Sequence, residues 1–298
     1  MPELHEGMTG KAGADSIRTG LLGREILASR SPWIHEQEAQ AQGVALSYTL
    51  FDFTARGWAD AELAQQLDAL QQQGFAGLNV THPFKQMIIP HLDALAESAA
   101  SVGAVNTVRF AGGQRIGHNT DVTGFAASVR SGLAGARMEH VVQFGAGGAG
   151  SATATALLSL GVPHLTLVES HEQRRTVLAD RLAKAFPAAS IATCAPEEAT
   201  LRDADGVVNA TPVGMAAHPG TPFDPDWLRD GLWVADIVYF PLETALLKEA
   251  RARGLRVLDG KGMAVFQAAD AFDIFTGLSA NRARMLASFD AFGVARAA

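Results

Sequence analysis

The fold is decided by residues 141–150, which read Val141-Val142-Gln143-Phe144-Gly145-Ala146-Gly147-Gly148-Ala149-Gly150. A short apolar run leads straight into glycines spaced Gly-x-Gly-x-x-Gly, and a helical pattern follows them. Such glycines permit a tight strand-to-helix turn and let backbone N–H groups approach a pyrophosphate at the positive end of the helix. The stretch therefore predicts a Rossmann-type dinucleotide-binding unit. The alternative is a glycine-rich turn that only allows the helix to pack closely on the strand.

The residue that would read the ribose of the dinucleotide is expected at the end of the next strand, about 20 residues further on. Glu169 lies there, directly after Leu165-Thr166-Leu167-Val168. Its carboxylate would hydrogen-bond the ribose hydroxyls and repel a 2′-phosphate, and the nearest cations, Arg174 and Arg175, come later in the chain. We therefore expect NAD as the cofactor, with NADP less favoured, unless Glu169 is only a solvated strand-end residue.

Strand and helix signals alternate along the whole chain, which predicts an α/β fold with mostly parallel sheets. Ser31-Pro32 opens the first helix, with Ser31 as the predicted N-cap and Pro32 at the first helical position. We predict an N-terminal α/β substrate domain, a Rossmann-type NAD(P)-binding domain and a cleft between them. The predicted bounds are 16–124 and 125–261, with C-terminal helices in 262–298 packing back on the first domain and a flexible tail at 1–15.

Composition narrows the class of protein. The chain has 298 residues, 48% of them apolar, which suffices for two domains with sizeable cores. Lys and Arg total 24 and Asp and Glu total 31, and the resulting net charge of −7 argues against a nucleic-acid partner. The single cysteine, Cys194, excludes an intrachain disulfide, and the polar N-terminal segment lacks the apolar centre of a signal peptide. We expect a cytoplasmic protein, a monomer or homodimer, that binds a small-molecule substrate and neither nucleic acid nor membrane.

Two polar clusters precede the glycine loop. Lys85 follows an apolar strand in a short loop, and Asp121 ends the segment Gly117-His118-Asn119-Thr120-Asp121. A lysine held beside a carboxylate can shuttle a proton or hold a substrate hydroxyl. The alternative for both residues is an ordinary surface salt bridge.

A pair of hydroxyls, Ser29 and Ser31, stands at the start of the first predicted helix. Hydroxyls and free N–H groups at a helix start suit a carboxylate ligand. The alternative is that Ser31 only caps the helix and Ser29 lies in a surface loop. The histidines do not stand at metal-ligand spacing with an acid or with Cys194, so no metal site is predicted.

Several segments together resemble the shikimate dehydrogenase family, which includes quinate/shikimate dehydrogenases. The resemblance covers the chain from about Thr19 to Gly277. The segments that carry it occur in the family's order and are Ser29-Arg30-Ser31-Pro32, Asn79-Val80-Thr81 with Pro83 and Lys85, Gly103-Ala104-Val105-Asn106-Thr107, Asn119-Thr120-Asp121 with Gly124, the glycine loop, Asn209-Ala210-Thr211-Pro212 with Gly214-Met215, Asp236-Ile237-Val238-Tyr239 with Pro241 and Thr244, and Gly262-Met263 with Gln267.

The resemblance implies a role for each matching residue. It implies Lys85 and Asp121 as the catalytic pair. The implied substrate-binding residues are Ser29 and Ser31 for the carboxylate, Tyr239 near it, and Thr81, Asn106 and Gln267 for the ring hydroxyls. The implied cofactor-binding residues are Gly145, Gly147, Gly148, Ala149, Gly150, Glu169, Asn209, Thr211, Met215, Gly260 and Met263.

Three positions depart from the family pattern. Ala28 stands where many members have His, and Lys261 stands where many have a small or apolar residue. The stretch Glu169-Ser170-His171-Glu172 lacks the arginine that binds the phosphate of NADP in the family. These departures favour an NAD-linked member that reversibly oxidises a ring hydroxyl of shikimate, quinate or an amino analogue of shikimate. The alternatives are a dehydrogenase of another cyclic hydroxy acid and a catalytically silent NAD- or metabolite-sensing regulator.

Overall fold

A computed structural model describes residues 16–295, whose strands form two six-stranded sheets. The predicted tail at 1–15 lies outside the described residues, as do residues 296–298 of the predicted C-terminal segment. The first sheet contains β1 (Ile17–Gly23), β2 (Leu46–Asp52), β3 (Gly77–Val80), β4 (Ala94–Leu95), β5 (Thr107–Ala111) and β6 (Gln114–His118). The second contains β7 (His140–Phe144), β8 (His164–Val168), β9 (Ser190–Cys194), β10 (Gly206–Asn209), β11 (Trp233–Asp236) and β12 (Arg256–Leu258).

The α-helices of the described range connect and cover these strands, which confirms the predicted α/β fold class. They are α1 (Ser31–Ala41), α2 (Leu63–Gln72), α3 (Phe84–Met87), α4 (Glu97–Val102), α5 (Asp121–Gly132), α6 (Gly148–Ser159), α7 (Glu172–Ala185), α8 (Ala245–Ala252), α9 (Lys261–Thr276) and α10 (Arg282–Ala295). No helix among residues 16–295 is both long and apolar enough to cross a membrane.

The first sheet is mixed, with the strand order β2-β1-β3-β5-β6-β4. β1 pairs in parallel with β2 and β3, whereas β5 pairs antiparallel with both β3 and β6. The expectation of a mostly parallel sheet missed this hairpin. Its two-residue turn is Gly112-Gly113, and both glycines have positive φ, as the favoured hairpin turns require. The glycine pair is therefore a sequence signal for an antiparallel connection, and the prediction overlooked it.

The second sheet is entirely parallel, with the order β12-β11-β10-β7-β8-β9. Parallel strands are buried on both faces between helix layers, and β7 and β10 are buried along almost their whole length. Because all strands run the same way, the loops after β7, β8, β10 and β11 meet at one edge of the sheet. This carboxyl edge is where ligands bind in open α/β sheets.

Helices α5 and α9 pack so closely that glycines are needed between them. A Cβ on Gly124 would lie 2.7 Å from the backbone N of Gln267, and one on Gly262 would lie 2.1 Å from Ser128 Oγ. Further along, α9 and α10 bury Phe272 and Phe289 in one apolar cluster with α1. The C-terminal helices thus adjoin α1, the helix that begins at Ser31. The domain bounds and the oligomeric state stay predictions.

Candidate active site

Lys85 and Asp121 meet at the end of the first sheet. β3 leads through a short loop into α3, and Lys85 is the second residue of α3. Asp121 is the first residue of α5. Lys85 Nζ donates to Asp121 Oδ2 at 2.6 Å, and the two side chains are 19% and 7% exposed. Burial of this degree distinguishes the pair from a solvated surface salt bridge, which contributes little to stability.

The carboxylate of the pair is held by the start of α5. Asn119 Oδ1 accepts a hydrogen bond from the backbone N–H of Asp121 at 3.1 Å, and Asn119 Nδ2 donates to the carbonyl of Ala104 at 2.9 Å. Asn119 is almost completely buried, with 1% of its surface exposed. These bonds orient the first turn of α5 and therefore the direction of the Asp121 side chain.

Two predicted hydroxyl-binding residues, Asn106 and Gln267, lie next to each other. Asn106 Oδ1 accepts from the backbone N–H of Thr120 at 2.8 Å and from Thr107 Oγ1 at 3.1 Å. Its amide nitrogen is thereby turned toward Thr120 Oγ1 at 3.0 Å and Gln267 Oε1 at 3.5 Å. Both amide groups contact Thr120, the residue directly before Asp121. The third predicted residue, Thr81, leaves β3 beside Gly23, where an added Cβ would lie 2.4 Å from the Thr81 methyl group.

The serine pair is in mutual contact. Ser29 Oγ donates to Ser31 Oγ at 3.1 Å, and the backbone N–H of Ser31 donates to Ser29 Oγ at 3.2 Å. The predicted N-cap is wrong: α1 begins at Ser31, the N-cap residue is Arg30, and no side chain caps the helix. Because Ser29 Oγ takes up the N–H of Ser31, the two hydroxyls form one polar patch at the helix start.

Sequence reasoning missed Tyr48, which reaches the serine pair from β2. Its phenol donates to Asn79 Oδ1 at 2.8 Å. Burial raises the pKa of Tyr48, a hydrogen bond with Ser31 works in the opposite direction, and the nearby phenol of Tyr239 raises it further. Because the phenol donates its one proton to Asn79, its oxygen accepts the hydrogen bond that Ser31 donates. No local pattern identified it, because its neighbours come from distant segments.

Tyr239 follows β11 and so enters the site from the second sheet. Its side chain is 44% exposed. Desolvation raises the pKa of its phenol, the negative charge of Asp121 raises it further, and the positive charge of Arg30 lowers it. Tyr239 therefore lies within electrostatic reach of both the Lys–Asp pair and the loop that contains the serines.

The glycines of the loop are of two kinds, some tightly packed and one in open space. Gly145 has φ +99°, and an added Cβ would lie 2.6 Å from the carbonyl of Ala210. A Cβ on Gly150 would lie 2.2 Å from the carbonyl of Gly145. Around Gly147, in contrast, nothing lies within 4 Å of such a Cβ. Packing explains Gly145 and Gly150, whereas the free space at Gly147 is what a pyrophosphate approaching the backbone requires.

Glu169 lies at the predicted position beyond β8. Its Oε2 accepts from the backbone N–H of Ala146 at 3.1 Å, and its Oε1 accepts from the N–H of His171 at 3.0 Å and from Ser170 Oγ at 3.1 Å. Burial would raise the pKa of Glu169, but these hydrogen bonds and the charge of Arg174 lower it below its ordinary value. The ionised carboxylate lines a cavity together with Phe144, Gly145, Val168, Ser170, Thr211 and Val213.

Asn209 organises the loop after β10. Its Oδ1 accepts from the N–H and the hydroxyl of Thr211 at 3.0 and 2.6 Å, and its Nδ2 donates to Asp236 Oδ1 at 3.0 Å. The side chain is fully buried, so it holds the turn that leads to the half-exposed Met215. Asp236, also buried, was not predicted as a site residue. Desolvation raises its pKa, although bonds from Val238, Thr244 and Asn209 oppose the rise.

Gly260 and Met263 lie at the start of α9. A Cβ on Gly260 would lie 2.5 Å from the carbonyl of Ile237, so only glycine fits beneath the segment that leads to Tyr239. Met263 is 8% exposed and belongs to the core cluster around Phe125. Lys261, whose role the sequence left open, donates to the carboxylate of Asp290 at 3.2 and 3.3 Å, and so ties α9 to α10.

The two halves of the site meet where α6 begins. An added Cβ on Gly148 would lie 3.7 Å from Lys85 Cδ. Ala149, next in the loop, occupies the same first turn of α6. The proton-transfer pair thus lies beside the loop that suits a dinucleotide, and the combination can remove a proton and a hydride from one alcohol. Among residues 16–295 there is no group of three or more His, Cys, Asp or Glu side chains placed to hold a metal ion.

Comparisons with known proteins show which proteins this chain is similar to. A family model described as the shikimate dehydrogenase substrate binding domain matches residues 21–108. The chain is 52% identical to a shikimate dehydrogenase (NADP(+)) of Streptomyces avermitilis, over 92% of this chain and 94% of that one. It is 48% identical to a quinate/shikimate dehydrogenase (NAD(+)) of Corynebacterium efficiens, over 92% and 98%. The structure of quinate dehydrogenase from Corynebacterium glutamicum in complex with NAD superposes with a TM-score of 0.86 at 45% identity, covering 93% and 99%.

Proposed function

The chain belongs to the shikimate dehydrogenase family, and on that premise we propose that it reversibly oxidises a ring hydroxyl of shikimate, quinate or both, with NAD preferred over NADP. At the coarser level it is an oxidoreductase of the shikimate and quinate dehydrogenase type that uses a pyridine nucleotide. The oxidation of shikimate yields 3-dehydroshikimate, and NAD is reduced to NADH. The alternative acids remain an amino analogue of shikimate and other cyclic hydroxy acids.

The observation that carries the proposal is the buried Lys85–Asp121 pair at 2.6 Å beside Gly148 of the glycine loop. When bound, the nicotinamide supplies the hydride acceptor at its ring carbon. The proton of the substrate hydroxyl passes to the Lys85–Asp121 pair, whose geometry Asn119 maintains. Since the pair is mostly excluded from water, the proton transfer takes place in a site that is already organised.

The proposal gives the predicted substrate residues two tasks. Ser29 and Ser31 hold the carboxylate from the start of α1, with Tyr239 near it. Asn106, Gln267 and Thr81 hold the ring hydroxyls. The hydroxyl contact between Ser29 and Ser31 supports the carboxylate assignment, because two adjacent hydroxyls and a helix N-terminus together suit one anion.

The NAD preference rests on Glu169. An ionised carboxylate at the end of β8 hydrogen-bonds ribose hydroxyls and repels a 2′-phosphate. The lowered pKa of Glu169 supports this assignment, because it keeps the group charged at neutral pH. The relatives named above include both NADP- and NAD-linked enzymes, so the choice between cofactors depends on this chain's own residue.

The first experiment measures reduction of NAD and of NADP by the purified protein with shikimate and with quinate. We expect NAD to be reduced with at least one of the acids, and the rate to collapse in Lys85→Met. Binding of NAD without turnover on either acid would contradict the proposed substrates and favour another hydroxy acid or the silent sensing role. Faster reduction of NADP than of NAD would contradict only the cofactor preference.

A further inference from the structure

The turn between β1 and the serine pair has an unusual backbone. Glu25 has φ +56°, and among residues 16–295 it is the one residue other than glycine with a positive φ. This conformation is unfavourable for an ordinary L-residue, because its Cβ lies too close to the following carbonyl oxygen. Glu25 is exposed, so its side chain does not hold it there by burial. Such backbone states persist where surrounding structure enforces them, and they concentrate near functional sites.

The group that enforces the turn is the carboxylate of Asp52, the last residue of β2. Its Oδ1 accepts from the backbone N–H of Glu25 at 3.1 Å, and its Oδ2 accepts from that of Ile26 at 2.7 Å. Oδ1 also accepts from Thr54 at 2.9 Å and Ala55 at 3.2 Å. Only 2% of Asp52 is exposed. Burial would raise its pKa, but the four N–H donors lower it, so the carboxylate stays charged.

The same turn connects two segments of the proposed site. The carbonyl of Ile26 accepts from the backbone N–H of Ser29 at 2.9 Å. On its other side, the N–H of Arg24 donates to the carbonyl of His82, in the loop that leads to Lys85, at 3.0 Å. A continuous series of hydrogen bonds therefore runs from Asp52 through Ile26 to Ser29, whose hydroxyl contacts Ser31.

We propose that Asp52 is a positioning residue for the substrate carboxylate: its buried charge fixes the Arg24–Ile26 turn and thereby the serine pair. The inference rests on the proposed function, in which Ser29 and Ser31 bind the carboxylate. Asp52 itself does not contact the substrate. Its loss lets the turn relax, so the pair is misplaced before the acid binds. The effect falls on the KM of the acid, because Asp52 accepts from Glu25 and Ile26, whereas the bond from the turn to the loop before Lys85 is donated by Arg24. Asp121, the partner of Lys85, is held by Asn119.

The first test compares Asp52→Asn with Asp205→Asn. Asp205 is a matched control, since its carboxylate also accepts two backbone N–H groups, those of Glu139 at 2.7 Å and His140 at 3.0 Å, but at the start of the second sheet. We expect Asp52→Asn to raise the KM of the ring acid about tenfold or more, with kcat changed by less than about threefold and the KM of NAD unchanged. Asp205→Asn leaves the KM of the acid unchanged.

A second pair of variants keeps the test informative if Asp52→Asn does not fold. Glu25→Pro removes one donor and imposes a negative φ, while Asp52 and the core stay intact. Glu25→Gly keeps the N–H and adopts positive φ without strain. We expect Glu25→Pro to raise the KM of the acid as Asp52→Asn does, and Glu25→Gly to retain the wild-type value. With the neutral carboxamide of the same ring acid as substrate, kcat/KM should be equal in both Glu25 variants.

Ser29→Ala separates failure of this inference from failure of the proposed function. If Ser29→Ala raises the KM of the acid but Glu25→Pro and Asp52→Asn do not, the positioning role of Asp52 is overturned and the carboxylate site stands. If Ser29→Ala leaves that KM unchanged, the serine assignment fails, and the inference fails with it. Equal losses toward acid and carboxamide in Glu25→Pro would indicate general destabilisation and also overturn the positioning role.

Discussion

Lys85 Nζ lies 2.6 Å from Asp121 Oδ2, although 36 residues separate the two along the chain. One residue follows β3 and the other begins α5, and both side chains are mostly buried. Leaving one partner unpaired in such a place is costly, so the pair should be interpreted as a unit. Its position beside Gly148 relates the first sheet to the proposed cofactor loop of the second.

We predict that Lys85→Met lowers kcat about 10²–10⁴-fold, as expected for loss of an acid–base group. Binding of NAD should be unchanged, because Lys85 does not belong to the glycine loop. Lys261→Met is the matched control, since that lysine pairs with Asp290 on α10. Steady-state rates and NAD titration by fluorescence check both variants. A wild-type rate in Lys85→Met would remove this residue from the mechanism.

Glu169→Ala should lower the ratio of kcat/KM for NAD to that for NADP about tenfold, because the variant loses a charge-assisted contact to the ribose and the repulsion of a 2′-phosphate. Glu172→Ala is the control, because Glu172 carries the same charge but lies three residues later, at the start of α7. This variant should keep the wild-type ratio. Parallel kinetics with the two cofactors measure the effect. An unchanged ratio in Glu169→Ala would show that another residue selects the cofactor.

The contribution of Glu169 to NAD binding should be insensitive to mild acid. The pKa of Glu169 lies below its ordinary value of 4.5 in the folded protein. A carboxyl group with a lowered pKa stays ionised until the pH falls below that pKa, so the factor by which Glu169→Ala weakens NAD binding should stay constant from about pH 8 to about pH 5. NAD titrations of the wild type and of Glu169→Ala across this range provide the measurement. A factor that collapses above pH 5 would indicate that Glu169 is protonated there.

Alanine at two glycines of the loop should have different effects, one on NAD binding and the other on stability. Gly147→Ala places its methyl group where no protein atom lies within 4 Å, so the melting temperature should be unchanged while the Kd of NAD rises about tenfold. Gly150→Ala would place its methyl group 2.2 Å from the carbonyl of Gly145 and should lower the melting temperature. Thermal melts with and without NAD distinguish the two. Unchanged NAD binding in Gly147→Ala would argue that this glycine faces solvent.

His35 should make stability depend on pH below neutrality. It is fully buried against Tyr48, neither of its ring nitrogens has a hydrogen-bond partner among the described residues, and burial lowers its pKa from 6.5 to about 3. The unfolded chain binds a proton below pH 6.5 and the folded chain does not. Stability contributed by the neutral ring is therefore complete above pH 6.5 and is lost as the pH falls from 6.5 toward 3.

The test is urea unfolding across that range. We expect His35→Leu to flatten the acid dependence by up to about 1.4 kcal/mol per pH unit. His164→Leu, at the exposed start of β8, is the control and should keep the wild-type slope. An equal slope in wild type and His35→Leu would mean that the buried ring is not the group that titrates.

Local sequence specified much of the second sheet. The glycine loop, the strand before it and Glu169 after β8 are all encoded within about 30 residues, so their mutual placement follows from one βαβ unit. The hairpin of β5 and β6 was missed although Gly112-Gly113 signals it. The prediction of Ser31 as N-cap was also wrong, because Ser31 is already the first residue of α1 and its backbone N–H donates to Ser29 Oγ.

The substrate side of the site depended on contacts that no local pattern encodes. Loop position and chemistry suggested Lys85 and Asp121, and the family resemblance added Asn106 and Gln267. The distances between these residues follow from how α5, α9 and the first sheet pack. Tyr48 and Asp52 escaped notice because their bonds to Asn79 and to Ile26 join residues that are distant in the sequence. Periodicity and turn chemistry report on neighbours along the chain, and these contacts arise when strand ends distant in sequence meet at one edge of a sheet.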